Sequence, residues 1–337
     1  MLRNVDDLLL RLRAIHAAIR AEVVAACERT AIEHLSKAVG DGAGDTLFAI
    51  DRVSEQILLE RFGELAREWP CLLVAEGLGV SGHVRLPAEV EPEIVVIVDP
   101  IDGTRGLMVQ KRPAWILTGA APYRGAPPTL ADIELALQTE IPLVKQHLCD
   151  SLWVVKKDEG GRMKDEIGGE RLNRLVGERV PLMPRPSRAT TLAQGFGNIA
   201  RFFPGPRGLL ATIDDQLIER ILGAPPPGRA AAFEDQYIST GGQLYELLMG
   251  HDRWAADLRP LVWKQRGARG LCCHPYDLCT EFIARAAGLV ITDARGQPLS
   301  APLDVETDLA WCGFANRAIY DQVMPVLQDL LREHGLL

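Results

Sequence analysis

The 337-residue chain has no apolar run that approaches membrane-spanning length, and no apolar core near its first residues. Asp6, Asp7 and recurrent arginines stand there instead. A cytoplasmic protein with no membrane partner is the expectation. An excess of positive charge is also missing. The formal charge is −8, which argues against a general nucleic-acid partner, because such binding needs a basic face. The seven cysteines include no paired CxxC spacing and sit in apolar settings, Cys71 before Leu-Leu-Val and Cys312 in Leu-Ala-Trp-Cys-Gly-Phe. Reduced thiols fit this better than disulfides or a zinc site, and Cys272-Cys273 reads as a buried pair. Internal repeats and low-complexity tails are lacking too. What remains is an ordinary globular composition, 47% hydrophobic and 24% charged, in a chain long enough for two lobes.

Helical spacing of Leu9, Leu12, Ile15, Ile19 and Val23 predicts a first helix over 5–28. A second opens at Asp51 and runs through Val53, Ile57, Leu58, Phe62 and Leu65. Strand-like segments follow at 71–75, 94–98, 114–122, 133–137 and 151–156. The Pro- and Arg-rich stretch 181–187 reads as the connection between lobes, which sets an N-terminal α+β lobe at 1–184 and a C-terminal α/β lobe at 185–337. In the second lobe, 193–197 and 231–238 read as extended, with a Pro-rich break near Pro225 between them. Helices are expected over 240–248 and 278–287, the latter closed by Gly288. Strands at 254–258, 289–292 and 309–315, a turn at 293–296 and a helix from Asn316 complete the pattern. The segment 123–162 is either a hairpin connection with an insertion or a cover for a cleft.

The most informative stretch is Ile94-Val95-Val96-Ile97-Val98-Asp99-Pro100-Ile101-Asp102-Gly103-Thr104. A buried strand ends abruptly in two carboxylates three positions apart, a glycine and a hydroxyl. Two adjacent anions repel unless a positive group lies between them, so a divalent cation is the natural candidate. Three further segments carry the same theme. They are Asp45 to Asp51, Leu72-Leu73-Val74-Ala75-Glu76-Gly77, and His274-Pro275-Tyr276-Asp277-Leu278 followed by Ala286 to Asp293. Taken singly, Asp51 and Asp277 could be helix N-caps, Glu76 an exposed strand end and Asp102-Gly103 a common turn. Together they form an oxygen-only ligand set suited to a hard cation.

D-P-I-D-G-T after an apolar strand resembles the signature of the inositol monophosphatase superfamily. These are magnesium-dependent, lithium-sensitive phosphatases that include fructose bisphosphatases and bisphosphate nucleotidases. The resemblance implies a five-layered αβαβα sandwich and hydrolysis of a small phosphate monoester by metal-activated water. It implies two or three Mg²⁺ ions per site, with Li⁺ as an inhibitor. Asp99 would bridge two metals, Asp102 and Asp277 would complete the second, and the Ile101 carbonyl would bind the first. Glu76 would bind the first and, with Thr104, orient the water. Asp51 would reach a third site, and the Gly103 and Thr104 amides would grip the phosphate. The family also implies a homodimer.

The chain departs from that pattern in several places. Tyr276 replaces a tryptophan, Phe48 a threonine and Gly77 a glutamate; Gly270 stands where inositol-selective members carry a glutamate. Arg105-Gly106 resembles the Lys-Gly of bisphosphate nucleotidases, and Arg266 and Arg269 are candidates to meet a second phosphate. A solvated loop is the other reading of those two. A bisphosphate nucleotidase and a non-catalytic binder of an anionic metabolite are therefore the alternatives.

Overall fold

A computed structural model describes residues 1–30, 35, 38–41, 46–48, 51–78, 82–224 and 227–337, and for 38–41, 46–48 and 51–56 the backbone alone. The first helix, α1 (Val5–Arg29), buries Leu8, Leu12, Ile15, Ile19 and Val23, a stripe at the helical period. With α2 (Asp51–Leu65) it covers one face of the larger of two extended sheets. That sheet has eight strands: β3 (Cys71–Ala75), β4 (His83–Leu86), β5 (Ile94–Asp102), β6 (Ala114–Pro122), β7 (Leu135–Ile141), β8 (Leu148–Asp158), β9 (Met163–Asn173) and β10 (Arg179–Pro181). Their order is β10-β9-β8-β7-β6-β5-β3-β4, antiparallel except for the β3–β5 pair. A separate hairpin pairs β1 (Ala38–Asp41) with β2 (Thr46–Phe48).

The opposite face of the large sheet packs on three further helices, α5 (Thr240–Leu248), α7 (Pro275–Leu278) and α8 (Glu281–Ala286). Beyond them lies a four-stranded sheet, β11 (Phe196–Ile199), β12 (Asp252–Asp257), β14 (Trp311–Phe314) and β13 (Val290–Thr292) in that order. Helices α4 (Arg207–Leu222) and α9 (Arg317–Glu333) close its far side through Leu210, Ile213, Leu217, Val323 and Leu327. Helix, sheet, helix, sheet, helix is the five-layer order that the resemblance implies.

Several elements differ from their predicted extents. The stretch 231–238 forms no strand; its backbone meets the small sheet at one isolated bridge, Phe196 to Phe233, and Gln236 Nε2 donates to the Ile199 carbonyl. The helix predicted over 278–287 is two short ones, interrupted at Cys279–Thr280, where Thr280 Oγ1 donates 3.3 Å to Gln138 Oε1 on β7. Segment 123–162 is sheet, not a cleft cover: it supplies β7 and β8, and the unpredicted β9 continues the same meander. Helix α3 (Thr104–Met108) and helix α6 (Arg259–Gln265) complete the described elements.

Candidate metal centre

The site begins with an irregularity in β5. Alternation sends Val95 and Ile97 toward the helices between the sheets, and Ile94, Val96 and Val98 toward α1. Asp99 continues the inward series. In a regular strand Asp102, an odd number of residues later, would point the other way. Instead Asp99 pairs with Leu117 and Asp102 with Trp115, so three steps on β5 oppose two on β6. This bulge, at Pro100–Ile101, returns Asp102 to the inner face beside Asp99 and turns Ile101 toward α1. Proline has no N–H to lose from the ladder, which suits that position.

Local bonds then fix the turn. The Ile101 N–H donates 2.9 Å to Asp99 Oδ1, and Thr104 Oγ1 donates 2.8 Å to the Ile101 carbonyl. Gly103 has φ 96°, a left-handed conformation that a Cβ would strain, and that Cβ would lie 3.1 Å from Ser239 Cβ.

The start of α5 holds Asp102. Asp102 Oδ2 accepts from Ser239 Oγ at 2.8 Å and from the Gly241 N–H at 2.6 Å, while Ser239 Oγ caps the helix by accepting from Gly242 N. A Cβ on Gly241 would meet Leu117 Cδ2 at 2.6 Å and Asp102 Oδ2 at 2.9 Å, so glycine permits this approach. Asp277 arrives from the first turn of α7, where its Oδ2 accepts from the His274 N–H at 2.6 Å. The His274 ring stacks on Tyr276, accepts or donates to its hydroxyl at 3.1 Å, and stands 3.8 Å from Asp277 Oδ2.

One carboxylate oxygen from each of Asp99, Asp102 and Asp277 lies within 4.8 Å of the others. Asp99 is 1% exposed and Asp102 6%. Burial pushes the Asp99 carboxyl well above the usual range, and the charges of Glu76, Asp102 and Asp277 push it further. Asp277 is raised in the same way, first by burial and then by Asp102 and Glu76. Asp102 rises to about 6 through burial, opposed by its bonds from Gly241 and Ser239. The donor set is all oxygen, buried and mutually repulsive, so it fits a hard divalent cation and nothing in it favours a soft one.

The remaining predicted residues fall into three groups. Glu76 stands immediately after β3, half-buried, and its charge acts on both Asp99 and Asp277. Asp51 opens α2, but its side chain lies outside the described residues, as do Asp45 and the Phe48 side chain. Arg105 lies over the Phe203 ring at 5.2 Å; Arg266 is exposed, 5.8 Å from the Trp263 ring, and Arg269 is exposed as well. Asp293, the last acid of the second motif, folds its own turn by accepting from Arg295 N and Gln297 N.

Sequence reasoning missed Ser239 and Gly241 as partners of Asp102. The small residues opening α5 were visible; their target was not. It also missed Arg259, whose charge reaches Asp277 and which is buried against Asp257, with Nε 2.9 Å from Asp257 Oδ1.

No family model matches the chain, and no curated protein is similar to it in sequence. Solved structures are similar to it along nearly the whole length. Fructose-1,6-bisphosphatase of Leishmania major superposes with a TM-score of 0.68 at 12% identity, covering 96% of this chain and 95% of that one. The IMPase of Thermotoga maritima gives 0.56 at 14%, covering 98% and 99%. The extragenic suppressor protein SuhB of Bartonella henselae gives 0.61 at 12%, covering 96% and 98%. The chain has the inositol monophosphatase and fructose-1,6-bisphosphatase fold.

Proposed function

We propose that the protein is a metal-dependent phosphatase that hydrolyses a small phosphate monoester. The observation that carries this reading is the convergence of Asp99, Asp102 and Asp277, each offering a carboxylate oxygen within 4.8 Å of the others, in a buried cluster. Their fold neighbours include proteins named as fructose-1,6-bisphosphatase and IMPase, which supports a phosphorylated polyol or sugar as substrate. Asp99, Asp102, Asp277 and Glu76 would hold the divalent ions, with Mg²⁺ the expected one. When bound, such ions supply a nucleophilic water at neutral pH and neutralise charge on the phosphoryl oxygens.

The side chains divide the remaining work. Asp99 is held by the Ile101 N–H, which donates to its Oδ1. Asp102 keeps its orientation through Ser239 and Gly241. Thr104 Oγ1 gives its only proton to the Ile101 carbonyl, so toward a water it acts as an acceptor. An acceptor there, paired with Glu76, suits a role in orienting the attacking water. The Gly103 and Thr104 amides, at the opening of α3, are the candidates to bind phosphate oxygens. Substrate contacts by Arg105, Arg266 and Arg269 and a homodimeric assembly are further parts of this proposal.

The test is phosphate release with magnesium from a panel of inositol phosphates, sugar mono- and bisphosphates and adenosine bisphosphates, with and without a chelator. Chelator-sensitive release from one group is the expected result. Preference for adenosine bisphosphates would move the assignment to a nucleotidase. Absence of release from every member, with magnesium bound, would overturn the phosphatase reading in favour of a metabolite-binding role.

A further inference from the structure

A second polar site lies on the other face of the large sheet, beneath α1. Within its apolar stripe α1 carries His16 and Arg20, one helical turn apart and both buried. The needs of His16 are met: Nε2 lies 2.7 Å from Thr118 Oγ1 and Nδ1 2.9 Å from Thr139 Oγ1. Those of Arg20 are not. It is 8% exposed, yet no hydrogen bond or ion pair joins its guanidinium to any described residue. A buried cation without a partner is costly, and proteins seldom keep one without a counter-charge.

Arg20 lines a cavity of about 270 Å³ between α1 and strands β7 to β10. Arg13, Arg179, Glu170, Thr139 and Ser151 line it too. Glu170 is already committed, accepting from Arg13 at 2.5 Å and from Arg179. Three arginines against one glutamate leave the walls with a net charge of +2. Ser151 is buried, and its hydroxyl likewise has no partner among the described residues. Burial is the main influence against the protonated form of Arg20; the like charges of Arg179 and Arg174 add to it, and Glu170 offsets it in part. Each of these features is relieved by one kind of guest.

We propose that this cavity binds a phosphate-sized dianion, free or as the phosphate end of a small ester. Arg20 is the buried anchor, Arg179 closes over it from the exposed rim, and Ser151 donates a hydroxyl bond. Two net positive charges match a dianion, and guanidinium groups match its oxygens. The volume is at the small end of ligand sites, enough for a phosphate with a short organic tail. The site is separate from the aspartate cluster: Thr139 and Ser151 face α1, whereas Asp99 and Asp102 face the opposite side of the same sheet.

The test uses chelator-treated protein, in which the aspartate cluster repels anions. Inorganic phosphate and glycerol phosphate are titrated by calorimetry into wild type, Arg20→Met, Arg179→Ala and Asp99→Asn. Saturable binding by wild type and by Asp99→Asn is expected, weakened about tenfold or more in Arg20→Met and Arg179→Ala. Tighter binding of glycerol phosphate would assign an ester, and equal or weaker binding the free anion. Arg20→Met should melt no lower than wild type in phosphate-free buffer, since it loses an unpartnered charge. Should that variant fail to fold, the exposed Arg179→Ala decides. No saturable binding by wild type, or unchanged affinity in Arg179→Ala, or binding lost only in Asp99→Asn, would overturn the proposal.

Discussion

Ser239 and Thr104 each influence the aspartate cluster through a single hydroxyl. Ser239→Ala removes one of the donors to Asp102 and the cap on Gly242. A loss of about 1 kcal/mol in stability is expected from urea denaturation, with magnesium affinity about tenfold weaker because Asp102 is freed to rotate. Thr104→Ala leaves every carboxylate in place, so turnover should fall by about tenfold or more while the magnesium dependence of the rate stays unchanged. An equal change in both would contradict an orienting role. Gly241→Ala forces a Cβ to within 2.6 Å of Leu117 Cδ2, and should cost more activity than Ser239→Ala. Asp99 and Asp102 were legible because paired acids seldom end a buried strand, whereas Asp277 and Glu76 were picked out by their likeness to the family motifs. Ser239 and Gly241 were not, because they meet Asp102 across 137 and 139 residues of chain, and local pattern carries no such pairing.

At the scale of elements, the strands and long helices followed their apolar periods closely. Strands 71–75 and 114–122 and helix 240–248 have the predicted ends. Failures occurred where tertiary bonds override local preference. The bulge at Pro100–Ile101 is invisible in composition, yet it decides whether Asp99 and Asp102 share a face. At the break, Thr280 meets Gln138 from a distant strand, a pairing that local pattern does not carry.

Helix α1 carries a pH prediction. Burial, and after it the charge of Arg20, lowers the His16 pKa from 6.5 to about 3. The unfolded chain therefore takes up this proton first. The contribution of neutral His16 is complete above pH 6.5 and is lost as pH falls from 6.5 toward 3. Urea denaturation from pH 7.5 to 5 should show wild type losing stability more steeply than His16→Gln, by at most about 1.4 kcal/mol per pH unit. Parallel profiles would show that His16 takes up its proton equally in the folded and unfolded chain.

The whole molecule combines two cores on the large sheet with a third beyond the small one, and places the acidic cluster where β5 of the large sheet meets the middle helical layer. Its layer order was legible through the resemblance of the D-P-I-D-G-T segment to a known superfamily; the helix pair, the run of strands and the alternating C-terminal half pointed only to a mixed α/β architecture. A cluster that repels itself in the bare chain should be steadied by its ion. Magnesium at 100 times its dissociation constant should stabilise the folded protein by about 2.7 kcal/mol, seen as a higher melting temperature. Asp277→Asn should lose most of that rise while melting no lower than wild type in chelator, because the substitution removes a buried repelling charge. An undiminished rise would place the ion elsewhere.

The most direct measurement is phosphate release against magnesium concentration, for wild type and Asp99→Asn side by side on the preferred substrate. Wild type should show a saturable magnesium dependence, and the variant at least about 100-fold less turnover with its fold retained by circular dichroism. Near wild-type release by Asp99→Asn, or release by wild type that persists in chelator, would contradict a metal centre built on these aspartates.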